Sequence, residues 1–329
     1  MARTTTLALL GDLMLGRGVS RALRHRPPEW FWGDVLPILR RADAVLANLE
    51  SPITTASRRR SWKMFHFRAD PEAVRILDCA AVRFVCLANN HMLDFDERGL
   101  LDTMAALDTA GIRYAGAGRN AAEAAAPVML DLPESKLGLL AATDNMRAFG
   151  AGPDRPGTNV IEFREDSAGL DWVARSVDTL RRAGAAVVLL SLHWGPNMRL
   201  SPSRRFRRFA HAAIECGVDI IHGHSAHVVQ AVERHRGGII LYDTGNFIDD
   251  YWKFPFRRTF WSFVFLLDIE GERLGRLRLV PVHIHSSPLG LAKGETDRAI
   301  RTRMQSLCAA FGTPILDTAE GLEIPISRR

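Results

Sequence analysis

From its start to about residue 250 the chain alternates short, continuous apolar runs of strand length with helical patterns. Such runs read as strands at residues 6–10, 44–49, 83–88, 136–142, 185–192, 218–221, 238–242 and 260–269. Uninterrupted apolar character is what strands covered on both faces require, and alternation with helices argues for a layered α/β fold. The helices have readable ends. One opens at Asp70-Pro71, with proline at the first helical position; others span about 97–110, 170–183 and 203–216, each stopping at glycine (Gly111, Gly184, Gly217). A last helix is expected near 297–311. The chain is read as one large domain, 1–280, with 281–329 a loop-rich C-terminal extension packed on it. At 329 residues and 47% hydrophobic content it can bury a full core without staples.

The chemistry lies in how these runs end. The first leads into Gly11-Asp12, the second into Asn48-Leu49-Glu50, the third into Asn89-Asn90-His91, and the fifth into His193-Trp194-Gly195. The sixth leads into His222-Gly223-His224-Ser225-Ala226-His227 and the seventh into Gly245-Asn246-Phe247. Ligands of α/β sheets collect at strand ends and the loops beyond them. Taken singly, His91 or His193 reads as a structural histidine, and Asp12 or Glu50 as a cap or loop ion pair. The recurrence of oxygen and imidazole donors, with no thiolate, points instead to a metal centre of the Mn, Fe or Zn type. Two ions about 3.5–4 Å apart clamp an anionic substrate and activate a water between them.

These motifs occur in order, together with Gly11 to Arg17, Ser51-Pro52, Phe67 to Pro71, Ala88 to Asp94, Thr143-Asp144-Asn145 and Arg155-Pro156-Gly157. The series resembles the poly-gamma-glutamate capsule biosynthesis family, the CapA-like proteins, which in turn resemble calcineurin-like metallophosphoesterases. The resemblance implies a four-layer α-β-β-α sandwich of two mixed sheets flanked by helices. It also implies roles. Asp12 binds the first of two divalent ions, Glu50 bridges them, Asn90 and His193 bind the second, and His224 and His227 complete the sites. His91 is then the acid that protonates the leaving group, oriented by Asp94, and Arg17 faces the substrate anion. Asn246 and His222 are further candidates. Three departures from the phosphoesterase pattern stand out: Met14 where a histidine ligand is usual, glutamate rather than aspartate at the bridge, and G-H-x-x-H in place of G-H-x-H. The last leaves open which of His224, His227 and His222 bind.

The implied activity is hydrolysis of a phosphate ester or related anionic substrate by a hydroxide held between the metals. Cleavage or transfer at an amide or gamma-glutamyl bond is an alternative of the same chemistry. A non-catalytic binder of anions or nucleic acid is another. The net charge of +6 comes from arginine, since lysine occurs only at positions 63, 136, 253 and 293. Arginine clusters at 58–60, 204–208 and 257–258 read as solvated surface rather than a nucleic-acid footprint, because no nucleic-acid motif accompanies them. The expected partner is therefore a small anionic substrate. The aromatic groups Trp30-Phe31-Trp32 and Tyr251 to Phe256 either line a substrate entrance or pack loops. Scattered cysteines, a first apolar run too short for a signal segment and no span-length apolar stretch lead to the expectation of a cytoplasmic protein without membrane anchor.

Overall fold

The computed structural model describes residues 3–250, 258–284 and 288–326. The chain enters through β1 (Thr5–Leu13), β2 (Ala44–Leu49), β3 (Val82–Cys86) and β4 (Arg113–Ala115), adjacent and parallel in one sheet. After the short β5 (Ala117–Gly118), it crosses to a second sheet through β6 (Val128–Asp131) and β7 (Lys136–Thr143). Past β8 (Gly157–Thr158), which pairs with β5, this sheet is completed by β9 (Val187–His193), β10 (Ile220–His224), β11 (Val232–His235) and β12 (Gly238–Leu241). The chain then returns to the first sheet as β13 (Asn246–Ile248), β14 (Trp261–Glu270), β15 (Arg273–Ile284), β16 (Leu289–Leu291), β17 (Leu316–Thr318) and β18 (Gly321–Pro325).

Both sheets mix parallel and antiparallel pairs, and alternate side chains on each strand go to different layers. Leu7, Leu9, Leu46 and Phe84 of the first sheet meet Leu139, Leu189, Ile220 and Ile239 of the second in a central core. The residues between them, such as Ala8, Val45 and Val85, pack outward against helices Val74–Cys79 and Asp96–Thr109. Leu140, Val188, Leu190 and Ile221 pack against helices Ala168–Arg182 and Arg204–Glu215 on the other flank. The result is the expected α-β-β-α sandwich.

The strand reading overlooked β15, although its burial alternates along much of its length as a half-covered strand requires. This strand runs across residue 280, and β16 and β18 pair onto it. Helix Gly294–Ala309 adds Ile300, Met304 and Cys308 to the central core. Phe31 and Trp32 are fully buried, Trp32 donating from Nε1 to the Ile76 carbonyl at 2.8 Å, so this aromatic group packs the first helical layer rather than an entrance. The second aromatic group, Tyr251 to Phe256, lies outside the described residues. Several arginines of the clusters are paired locally: Arg58 and Arg60 with Asp96, Arg205 with Asp144, Arg208 with Glu165. Arg258 lies over Trp261, and Arg257 is outside the described residues. Among the described residues no helix is long and apolar enough to cross a membrane.

Candidate metal centre

The ends of β1, β2, β3, β9 and β10 meet at one edge of the sandwich. On β9 the central face carries Leu189, Ser191 and His193, and on β10 it carries Ile220, His222 and His224, following the two-residue period. His193 and His224 are direct neighbours across the ladder, with Nδ1 atoms 3.0 Å apart. Strict alternation along β1 would send Asp12 outward with Ala8 and Leu10. The register instead slips between Leu9, opposite Leu46, and Asp12, opposite Asn48. This one-residue bulge turns the carboxylate to the inner face. There the Asn48 amide donates to Asp12 Oδ1 at 2.8 Å, and His227 Nδ1 lies 3.1 Å from Oδ2. Gly11 sits within the bulge, where a Cβ would fall 1.8 Å from the Gly245 carbonyl oxygen; glycine is what lets the two backbones touch.

Two groups of donors result, Asp12 with His193 and His224, and Asp12 with Glu50 and His227, each with its ligand atoms within 4.8 Å of one another. Asp12 is the carboxylate common to both. Asn90 lies beside the first group, its Oδ1 2.9 Å from His193 Nε2. His222 is turned deeper: its Nε2 donates to the Leu10 carbonyl at 2.8 Å, and it belongs to neither group. Asn246 stands opposite Asp12 on β13, its Oδ1 2.9 Å from His227 Nδ1. Met14 is fully buried and supplies no nitrogen or oxygen. Arg17 lies at the mouth, its guanidinium 5.5 Å from the Phe67 ring and 3.5 Å from Asp250.

Glu50 points most directly to what the centre could hold. It is fully buried, and neither carboxylate oxygen has a hydrogen-bond partner among the described residues. His227 Nε2 and His91 Nε2 stand 3.8 and 3.9 Å from Oε1, too far to satisfy it. Burial, reinforced by the nearby Asp12 charge, pushes the Glu50 carboxyl well above its ordinary range. Burial likewise pushes His193 down to about 3, so its imidazole is neutral and has a lone pair to give. For His227 burial also opposes the charge, but Glu50 and Asp12 overrule it and raise the ring to about 10. A buried carboxylate without a hydrogen-bond partner, close to the neutral His193 imidazole, fits a divalent cation.

His91 stands apart from both groups. Its Nδ1 donates to Asp94 Oδ2 at 2.7 Å, leaving Nε2 directed at the centre, and burial pushes the ring down to about 4. Asp94 is fully buried and also accepts from the Phe67 amide at 2.7 Å.

The profile of the Bacterial capsule synthesis protein PGA_cap family matches residues 6–251, about three-quarters of the chain. The chain belongs to the PGA_cap family. A Mycobacterium tuberculosis protein described as a probable polyglutamine synthesis accessory protein is 30% identical over 96% of this chain and 94% of its own length. The capsule biosynthesis protein CapA of Bacillus anthracis is 31% identical over 74% of this chain and 60% of its own. Among solved structures, a phosphatase from Mycoplasma pneumoniae superposes with a TM-score of 0.53 at 11% identity, over 86% of this chain and 95% of its own. A hypothetical protein from Thermus thermophilus does so at 0.50 and 16%, over 85% and 100%. At these identities the likeness is one of fold.

In this PGA_cap protein the structure gives supporting roles to four side chains that the sequence did not assign to the site. Lys63 reaches in from the loop after β2, and its ammonium contacts Asp94, the Asn90 carbonyl and, at 3.0 Å, His91 Nδ1. The available signal was its rarity, one of four lysines in an arginine-rich chain. Asn48 ties Asp12 to Asn89, and Asn89 in turn accepts from the His91 amide at 3.0 Å. Asp243 accepts from the amides of Ala226 and Gly245, setting the His227 loop against the Asn246 strand.

Proposed function

We propose that this protein is a hydrolase that depends on two divalent metal ions, acting on a phosphate ester or related anionic ester. The unpartnered Glu50 carboxylate in the midst of Asp12, His193, His224 and His227 carries the reading, and the sandwich shared with a phosphatase supports it. Ions held by Asp12, Glu50, His193, His224 and His227, with Asn90 alongside, would supply Lewis acidity to the ester and acidify water. The chain's own groups do the rest. Arg17 offers its guanidinium to the anion at the mouth. His91, its tautomer set by Asp94, presents a bare Nε2 that would take a proton from the attacking water and pass it to the leaving-group oxygen, and Lys63 holds Asp94 and the Asn90 backbone in place. The four cysteines are free, and we place the activity in the cytoplasm on that basis.

The test is elemental analysis of the purified protein together with turnover of an ester panel after reconstitution with Mn, Fe or Zn. Glu50→Gln should lose metal and activity while keeping its circular dichroism spectrum; a fully active Glu50→Gln protein would end this reading. A second reading, hydrolysis or transfer at an amide or gamma-glutamyl bond, is favoured by the relatives described as polyglutamine synthesis and PGA biosynthesis proteins. Gamma-glutamyl peptides assayed in parallel separate the two.

A further inference from the structure

One cavity of about 620 Å³ has Asn90, His91 and His227 among its lining, and Met64, Phe65, Phe67, Met146 and Met198 as its apolar walls. A substrate that reaches the donors through this cavity passes against those walls. A phosphoryl or carboxyl group occupies a small part of such a volume, which is in the range of sites for drug-sized ligands.

The wall side chains are exposed where exposure is costly. Among the described residues five large apolar side chains are exposed, and three belong to the loop over the centre: Trp62 at 56%, Met64 at 83% and Phe65 at 62%. This loop is held in place. The Arg60 amide donates to the Asp94 carbonyl at 3.0 Å, the Phe67 amide to the Asp94 carboxylate at 2.7 Å, and Lys63 is buried between them. A loop pinned to the catalytic groups by its polar atoms, with its apolar ones turned to solvent, is arranged for an apolar ligand rather than for packing. Apart from His91 and His227 at the donors, the basic side chains in the lining are Arg17 and Lys63, and Lys63 is already matched by Asp94. Such walls do not complement a polycarboxylate along its length, but they do complement one anionic group carrying an apolar remainder.

We propose that the substrate is amphiphilic: a single anionic ester, held at the donors and Arg17, whose leaving group is an alkyl or aryl body lying against Met64, Phe65 and Met198. The proposal rests on the hydrolase reading and names its substrate class. The same chemistry is offered by a soluble aryl or alkyl ester and by a lipid headgroup.

Binding of alkylphosphonates, which cannot be hydrolysed, tests the walls without requiring turnover. Octylphosphonate should bind the metal-loaded protein at least about thirtyfold more tightly than methylphosphonate, since each methylene buried is worth roughly fourfold. Phe65→Ser and Met64→Ser should each cut that ratio severalfold, whereas Leu316→Ser, at an exposed site outside this cavity, should leave it intact. Equal affinity for the two phosphonates, or a ratio untouched by Phe65→Ser and Met64→Ser, overturns the proposal even if esters are hydrolysed. Selective binding with no ester turned over sinks the hydrolase reading and leaves the wall assignment standing. Turnover of monomeric decyl phosphate as against phosphatidate in vesicles then tells a soluble source from a bilayer.

Discussion

Lys63 is the residue whose role is clearest only in three dimensions. Its ammonium is taken out of water, which lowers its pKa, and is kept charged there by Asp94. Through Asp94 and the Asn90 carbonyl it touches a candidate acid and a candidate ligand without lying in either donor group. Lys63→Met should lower kcat about tenfold to a hundredfold, the usual cost of losing a supporting contact, with bound metal unchanged by elemental analysis. The pH profile should move as well. Burial is the main influence holding His91 low and the Lys63 charge adds to it, while Asp94 works the other way. Removing that charge raises the His91 pKa, so the limb of the profile that reports His91 should shift to higher pH. A drop in kcat with no shift of that limb would assign Lys63 a structural role only.

At the level of elements, the centre depends on how β1 ends. The slip between Leu9 and Asp12 brings the carboxylate inward, and it is stabilised by the Asp12 amide donating to the Gly245 carbonyl at 2.9 Å. Gly11→Ala places a methyl group where that carbonyl lies, and backbone, unlike a side chain, cannot swing aside. The substitution should cost about 3 kcal/mol, at the upper end for overpacking, and should weaken metal binding because Asp12 and Asn246 are moved apart. Thermal melts with and without metal check both effects; an unchanged melting temperature would mean that the approach is looser than the structure shows. The β10 edge uses the same device, since a Cβ on Gly223 would lie 2.1 Å from the Tyr242 carbonyl oxygen.

Across the whole molecule, the segment after β15 helps close the core. Ile300, Met304, Cys308, Leu322 and Ile324 are all buried in the layer between the sheets. At roughly 1.5–3 kcal/mol for each larger side chain, their burial is worth on the order of 10 kcal/mol as an upper estimate. That is comparable to the whole stability of an ordinary domain, about 5–15 kcal/mol. A chain ending at residue 284 should therefore be insoluble or lack a cooperative melt. A soluble truncated protein that melts like the full chain would show the segment to be an accessory.

The layered fold was legible because continuous apolar runs in alternation with helices admit few architectures, and most of the strands that build the centre stand within a few residues of the expected bounds. β15 was missed because Arg273, Arg276 and Arg278 interrupt its apolar residues, and Pro281 resembles a strand breaker. The donor types and their order along the chain were equally legible, since they stand at the ends of successive strands. Which donors face one another was not. His222 and His224 share a face of β10, and period alone cannot say that one meets the Leu10 carbonyl and the other His193. Alternation on β1 even points Asp12 the wrong way, and only the pairing with β2 and β13 corrects it. The sequence by itself determined which elements form and which donors they carry, because periodicity and turn chemistry act over a few residues. Only the tertiary structure decided that Asp12 is shared by both donor groups, that Glu50 has no hydrogen-bond partner among the described residues, and that Lys63 reaches Asp94, because those relations depend on register and on contacts between residues far apart in the chain.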